Sequence, residues 1–323
     1  MGGTLTLQIQ VTFNTYLRSK SLVSDLVAGI LKGDKRSISR AISIVDNNDP
    51  DSVKIIHGIF KKTKNAKTIG FTGSAGSGKS TLIGRLASEF HSLGYKVAVI
   101  AVDPTSPITG GALLGDRVRM MSVSDEIYVR SLASRGAEGG ISRSLRNVVR
   151  ILDAAGYNLI LVESVGAGQL EIEISKAVNI TVVIFNPQTG DSIQAIKAGL
   201  TEIGDIYVIN KSDLEGATIL YSIISDLVGN NKKLVFKCSA KLKKGVNELT
   251  RALVKLLYEE KYLSREKSIL ENELKDMILN EVKEKSIDKI LKSEEYRKLV
   301  SKVLKKEVEP YNAALNFANK IIQ

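Results

Sequence analysis

The stretch Gly73-Ser74-Ala75-Gly76-Ser77-Gly78-Lys79-Ser80-Thr81 limits what this chain can fold into more than any other segment. It matches G-x-x-x-x-G-K-[ST] and lies between the apolar run Thr68–Thr72 and a segment of helical periodicity, the setting in which such a motif forms a phosphate-binding loop. Its glycines let backbone N–H groups turn inward around phosphates, and the start of the following helix adds partial positive charge. Lys79 is expected to reach the β- and γ-phosphates, and the Ser80 hydroxyl to ligate Mg2+.

A loop of this kind needs a strand before it and a helix after it, and the chain repeats that alternation. Short apolar runs recur at Lys96–Val102, Ile127–Val129, Asn158–Val162, Thr181–Phe185, Ile206–Ile209 and Leu234–Phe236, between longer helical periods. This predicts an α/β fold, a mostly parallel sheet of the P-loop NTPase type with helices on both faces. Residues 22–63 read as helices, with Val23, Leu26, Val27, Ile30 and Leu31, then Ile38, Ala41, Ile42 and Val45, at helical spacing and a turn at Asn47–Pro50. Past Tyr258 the strands stop. Leu270, Leu274, Met277, Ile278, Val282, Ile287, Ile290 and Leu291 form an apolar stripe on charged helices, and periodicity leaves a self-packed tail and a dimerisation arm equally open. The expected organisation is 1–66, a strand-like segment with helices; 67–258, the nucleotide-binding domain; and 259–323, a helical extension. Within the first part, Leu5, Leu7, Ile9, Val11 and Phe13 alternate with polar residues as in a half-buried strand.

Composition removes several function classes. With 43% hydrophobic and 25% charged residues among 323, the chain is neither disordered nor fibrous. The formal charge is +11, and residues 1–67 carry 11 Lys and Arg against 5 Asp and Glu. Aromatics make up only 5%, Trp is absent and no zinc-knuckle spacing occurs, so a solvated basic face is expected rather than nucleic-acid binding. No stretch reaches the ~18–20 apolar residues of a membrane span, and the N-terminus lacks the layout of a secretion signal. The lone Cys238 fits a reducing, cytoplasmic setting. With only His57 and His91 besides, the chain offers no site for delivering a transition metal. The richness in Lys, Glu and Ile is compatible with a thermophilic source.

Further motifs follow the phosphate loop in order. Asn158–Val162 runs into Glu163-Ser164-Val165-Gly166, where a carboxylate can hold Mg2+ directly or through water and the Gly166 amide can sense a γ-phosphate. Glu stands where Asp is usual. Asp103, at the end of Lys96–Val102, and Asp116, in a glycine-rich stretch beyond it, fall at the carboxyl edge of the sheet, where either metal ligation or simple loop solvation would account for them. Asn210-Lys211-Ser212-Asp213 sits at the next strand end but one. Its carboxylate can accept from guanine N1 and the 2-amino group, donors that adenine lacks, so the motif favours GTP and GDP over ATP. Cys238-Ser239-Ala240-Lys241 fits the loop that closes over the base.

The ordered series GSAGSGKST, AVDPTSPITGGALLGDRVRM, SLASRGAEGGISR, VESVGAGQLE, NPQTGDSIQAIKAGLTEIGD, NKSD and CSA resembles the MeaB/ArgK GTPases, over about residues 22–323. The resemblance implies a Mg2+-dependent GTPase that chaperones adenosylcobalamin-dependent methylmalonyl-CoA mutase, gating the loading and protection of its cofactor. It implies nucleotide contacts from Gly73 to Thr81, Gly166, Asn210, Lys211, Asp213, Ser239 and Ala240, and Mg2+ held by Ser80, Asp103, Asp116 and Glu163. Asn186–Lys197 resembles the family's additional, partner-responsive switch, with Lys197 at the matching lysine, and the C-terminal helices resemble its dimerisation arm. Catalytic roles are thereby implied for Lys79, Asp103, Asp116, Glu163 and Lys197. In small GTPases a Gln directly after the switch glycine orients the attacking water. Here Ala167 follows Gly166, so hydrolysis is expected to be slow until a partner moves Lys197 or an arginine toward the γ-phosphate charge. Three other readings remain: an ATP-dependent kinase of lysine/arginine/ornithine transport, a nickel or cobalt metallochaperone GTPase, and a nucleotide-gated scaffold.

Overall fold

The computed structural model describes residues 22–103, 126–133, 140–164, 169–188, 199–229 and 234–322. The expected strand-like segment at 1–21, Asp116, Gly166 and Lys197 lie outside the described residues.

Seven strands form one sheet: β1 (Lys67–Gly73), β2 (Val97–Asp103), β3 (Tyr128–Ala133), β4 (Leu159–Ser164), β5 (Ile180–Phe185), β6 (Ile206–Ile209) and β7 (Val235–Lys237). Their order is β3-β2-β4-β1-β5-β6-β7, and every pairing is parallel. Parallel pairing requires a crossover between consecutive strands, so each strand's carboxyl end comes to the same edge. The strands read as unbroken apolar runs because both faces are covered. Ile69, Phe71, Val97, Val99, Leu159 and Leu161 point into one layer with helices α4 (Lys79–Ser92) and α9 (Val246–Leu257). Their neighbours Ala98, Ile100, Val102, Ile160 and Val162 point into the other.

That second layer contains three N-terminal helices: α1 (22–31), α2 (Lys35–Asp46) and α3 (Asp51–Phe60). With them are α5 (Gly140–Ala154) and α6 (Gln169–Ala177). Ile30, Ile38, Ile42, Ile55 and Ile59 are fully buried there. Asp34 starts α2 by accepting from the Ser37 N–H at 2.8 Å, and Asp49 accepts from the Asp51 N–H at 2.9 Å ahead of α3. Edge strand β3 continues past the apolar run to Ala133 because α2 supplies polar partners. Arg130 donates to Ser43 Oγ at 2.7 Å, and the Ser39 and Tyr128 hydroxyls are 3.0 Å apart. The short helix α7 (Leu200–Ile203) precedes β6, and α8 (Ala217–Leu227) packs on β5 to β7 through Ala217, Leu220 and Ile224.

The amino edge of the sheet is stapled by side chains. The Asn179 carboxamide oxygen accepts from the Thr68 N–H and hydroxyl, both at 2.8 Å. Asp205 accepts from the Thr181 N–H at 2.8 Å and from Arg265 at 2.6 Å, while Arg265 also donates to the Asn179 carbonyl at 3.2 Å. Arg265 lies in the first turns of α10 (Glu260–Lys292).

The chain divides into two compact units, one up to Glu266 and one from Lys267 onward. The second comprises most of α10 together with α11 (Glu294–Leu304) and α12 (Pro310–Ile322). Ser293 caps α11 by accepting from the Tyr296 N–H, and Glu309 caps α12 by accepting from the Tyr311 and Asn312 N–H groups. Tyr296 meets Phe317 at a ring separation of 5.9 Å, and Lys320 pairs with Glu295. On α10 the stripe residues Leu270, Leu274, Met277, Ile278, Val282, Ile287 and Leu291 are 42–61% exposed. Among the described residues no helix is long and apolar enough to cross a membrane.

Candidate functional site

The phosphate loop spans the gap between β1 and α4. Gly73 has φ +143°, and a Cβ there would stand 2.1 Å from the Ile184 carbonyl oxygen, so β5 excludes any side chain. Gly78 has φ +85°, and a Cβ would meet the Asn210 carboxamide at 2.5 Å. The loop thus needs glycine where it presses on the ends of β5 and β6. The Lys79 ammonium is held across the loop, donating to the Gly73 carbonyl at 2.7 Å and the Ser74 carbonyl at 2.9 Å. Among the described residues the buried hydroxyls of Ser74 and Ser77 find no hydrogen-bond partner, an arrangement that suits a loop whose polar groups serve a ligand.

Beside the loop, Ser80 donates to Glu163 Oε1 at 2.7 Å. Glu163 pairs in register with Phe71 on β1 and Ala101 on β2 and is 3% exposed, so its carboxylate meets the Ser80 hydroxyl from within the sheet. Asp103 ends β2 with only 4% exposure. Sequence reasoning singled out these three, and the fold brings them to one corner at the carboxyl ends of adjacent strands. A hydroxyl and two carboxylates are hard oxygen ligands of the number Mg2+ takes from protein when phosphates and water complete its octahedron. Among the described residues no group of three or more His, Cys, Asp or Glu side chains forms a metal cage by itself.

The base-side motifs converge on Asn210, which is 1% exposed at the end of β6. Its carboxamide donates to the Ser77 carbonyl at 2.9 Å and the Gly78 carbonyl at 3.4 Å, and accepts from the Ala240 N–H at 3.2 Å. One side chain therefore ties the phosphate loop to the loop after β7. Backbone bonds from Ser212 N–H to the Cys238 carbonyl and from Cys238 N–H to the Ile209 carbonyl, both 2.9 Å, hold those segments in line. Lys211, at φ +54°, turns the chain so that Asp213 follows in the open. The Ser239 hydroxyl hydrogen-bonds the Asp213 carboxylate and holds its pKa below the ordinary value, with Lys241 and Lys244 adding smaller attractions. Ser239 Oγ also accepts from the Leu242 N–H at 3.3 Å, which fixes the hydroxyl that orients the carboxylate. An ionised, aimed acceptor at this position suits the paired donors of a guanine edge.

Burial pushes the Cys238 thiol up to about 12, and its sulfur donates to the Gly245 carbonyl at 3.3 Å, so it is a packing group and not a nucleophile. His57 lies in α3, and His91 lies in α4, paired with Glu126 at 2.5 Å. Arg85 on α4, which no short motif marks, donates to the Ala240 carbonyl at 3.3 Å. Asn186, which the sequence marks only as the first residue of the switch-like stretch Asn186–Lys197, is buried at the end of β5 and donates toward the Gly76 carbonyl at 3.4 Å.

Comparison with known proteins matches this architecture. Residues 38–295 fit the family model described as methylmalonyl Co-A mutase-associated GTPase MeaB. A protein of Pyrococcus horikoshii that carries a GTPase name is 39% identical over 315 residues, spanning 93% of this chain and 98% of that one. The GTPase ArgK of Escherichia coli is 31% identical over 252 residues, 73% of this chain and 76% of its own. The mitochondrial methylmalonic aciduria type A homolog of mouse is 30% identical over 229 residues, 64% of this chain and 55% of its own. Among solved structures, a LAO/AO transport system kinase superposes with TM-score 0.68 over 94% of this chain and 98% of its own, at 22% identity, a likeness of fold.

Proposed function

We propose that this chain, which belongs to the MeaB family of GTPases and is a GTP hydrolase, acts as a chaperone of adenosylcobalamin-dependent methylmalonyl-CoA mutase, gating the loading and protection of the mutase's cofactor. The observation that carries this reading is the match of residues 38–295 to the mutase-associated family, seconded by the mouse relative named for methylmalonic aciduria. The transport-kinase reading is disfavoured by the ionised Asp213 carboxylate, which offers adenine no donor to match and leaves a guanine edge well paired.

In this reading Asp213 accepts from guanine N1 and the 2-amino group while Ser239 orients it, and the loop with Ser239 and Ala240, which Asn210 anchors through the Ala240 N–H, closes over the base. The amides from Gly73 to Thr81 cradle the α- and β-phosphates, and the Lys79 ammonium leaves its two carbonyls to meet the β- and γ-phosphates. Ser80, Asp103, Asp116 and Glu163 would hold Mg2+, which would supply charge neutralisation for the phosphates. Glu163 also accepts the hydrogen bond of the Ser80 hydroxyl, so that the lone pairs of that oxygen face outward. Gly166 is assigned the γ-phosphate contact, and Lys197 the charge that stabilises the transition state when the partner engages Asn186–Lys197.

The exposed stripe on α10 fits a homodimer arm, since seven large apolar side chains half open to water are what a second copy would cover. A cytoplasmic site of action completes the proposal.

Calorimetric titration with GDP and with GTP and ATP analogues, alone and with the mutase, tests the base and the partner together. Guanine selectivity with mutase-dependent affinity is expected. Single-turnover hydrolysis then tests Lys197: a rate that mutase leaves unchanged, or one equal in Lys197→Ala, would refute its role.

A further inference from the structure

Two asparagines stand at the same level of the sheet. Phe185 on β5 pairs in register with Ile209 on β6, so Asn186 and Asn210 are the next residues beyond that pair, each 1% exposed. Both turn a carboxamide N–H toward the phosphate loop. Asn210 takes the carbonyls of Ser77 and Gly78, and Asn186 takes that of Gly76 at 3.4 Å, so three consecutive loop carbonyls are held from outside. The oxygen of Asn186 is engaged as well, accepting from the Gln188 N–H at 3.1 Å in a turn that leads the chain off β5.

A planar trans peptide points its N–H opposite to its C=O. Pulling the carbonyls of residues 76–78 outward therefore aims the N–H groups of Ser77, Gly78 and Lys79 into the loop. The Ser77 N–H already points inward, reaching the Ser74 carbonyl at 3.2 Å. Gly76 has φ +72° and open space around a would-be Cβ, so no side chain of its own anchors the loop there. The Asn186 carboxamide on its carbonyl holds the outer side of the peptide whose N–H turns inward.

We propose that Asn186 is a positioning residue for nucleotide binding, a second strut that orients the Gly76–Ser77 peptide toward the phosphates beside the strut provided by Asn210. The inference rests on the assignment of residues 73–81 as the phosphate cradle.

Asn186→Ser in the full chain tests it. The serine hydroxyl still accepts from the Gln188 N–H but is too short to reach Gly76, so the turn stays and the strut is lost. GDP and GTP affinities with Mg2+ are expected to fall together by about 2–10-fold, the size of one net hydrogen bond. GDP release quickens to match, the preference over ADP is unchanged, and the nucleotide-free melting midpoint moves by less than about 2 °C. Asn186→Asp, which keeps the turn acceptor but aims an oxygen at the Gly76 carbonyl, is expected to lose more than the serine variant. Lys79→Ala serves as the reference for the cradle. Unchanged GDP affinity in both Asn186 variants while Lys79→Ala weakens it would overturn the strut alone. A melting midpoint lowered by more than about 5 °C in both Asn186 variants would make the residue structural and overturn it too. No effect of Lys79→Ala would remove the cradle itself, and the strut with it.

Discussion

Replacing Asn210 with Ala deletes one carboxamide and disturbs two loops. Its 2.9 Å bond to the Ser77 carbonyl and 3.2 Å bond from the Ala240 N–H are the shorter ones, and the 3.4 Å contact with Gly78 shares the carboxamide nitrogen that already serves Ser77. The site is buried, so truncation leaves a carbonyl and an amide without partners, each costing about 1–3 kcal/mol. Allowing for some relaxation, the total is about 2–4 kcal/mol. It divides between two readouts. If the loops stay in place without their tie, the nucleotide-free protein carries the cost, and its melting midpoint falls by roughly 5–15 °C, at about 2–4 °C per kcal/mol for a domain of this size. If the loops instead relax apart, the nucleotide must reassemble them, and GDP affinity falls about tenfold for each 1.4 kcal/mol. Scanning calorimetry of the nucleotide-free protein and titration with GDP measure the two parts. Their sum is the prediction: a combined loss below about 1 kcal/mol would refute the claim that Asn210 joins the loops.

Burial raises the pKa of Tyr157, Tyr207 and Tyr262 to about 12, whereas unfolded tyrosines ionise near 10. The unfolded state therefore binds fewer protons between those values, so stability is full below about pH 10 and falls as pH rises toward 12. Urea midpoints that stay flat from about pH 9 to 11.5 would contradict this, and Tyr157→Phe is expected to shallow the decline. The Cys238 thiol, raised to about 12 by burial, is expected to resist a neutral disulfide reagent at about pH 8 and to react stoichiometrically once the chain is unfolded in urea; rapid native labelling would show the loop after β7 to be open. Arg265→Met removes the partner of Asp205, whose side chain is 12% exposed, and is expected to cost about 1–2 kcal/mol in a urea titration, against no change if the pair is merely a surface contact.

The strands were readable because a parallel sheet buried on both faces demands continuous apolar runs. Even β7, only three residues long, stood out at Leu234–Phe236. The end of β3 was not readable, since Arg130 and Ser131 look like loop residues until Ser43 is known to lie alongside. The motif residues Lys79, Ser80, Glu163, Asn210 and Asp213 were legible because their spacing records a backbone geometry. Arg85 was not, and Asn186 was legible only as the start of the switch-like stretch and not as a partner of the phosphate loop. Each acts on a carbonyl more than 100 residues away, a contact that no local spacing records. The N-terminal helices announced their apolar faces, but their membership of the sheet's own core came from contacts such as Ser39 with Tyr128, across 89 residues.

The staples at the amino edge, Asn179 with Thr68 and Asp205 with Thr181 and Arg265, share no residue with the nucleotide loops at the opposite edge. Part of the sheet's rigidity is therefore encoded apart from the site, in addition to what Asn210 supplies within it. Lengthening a carboxyl-edge loop, or exchanging it for one of different specificity, leaves every bond of the amino edge intact. The carboxyl-edge loops can therefore vary over a foundation that they do not share.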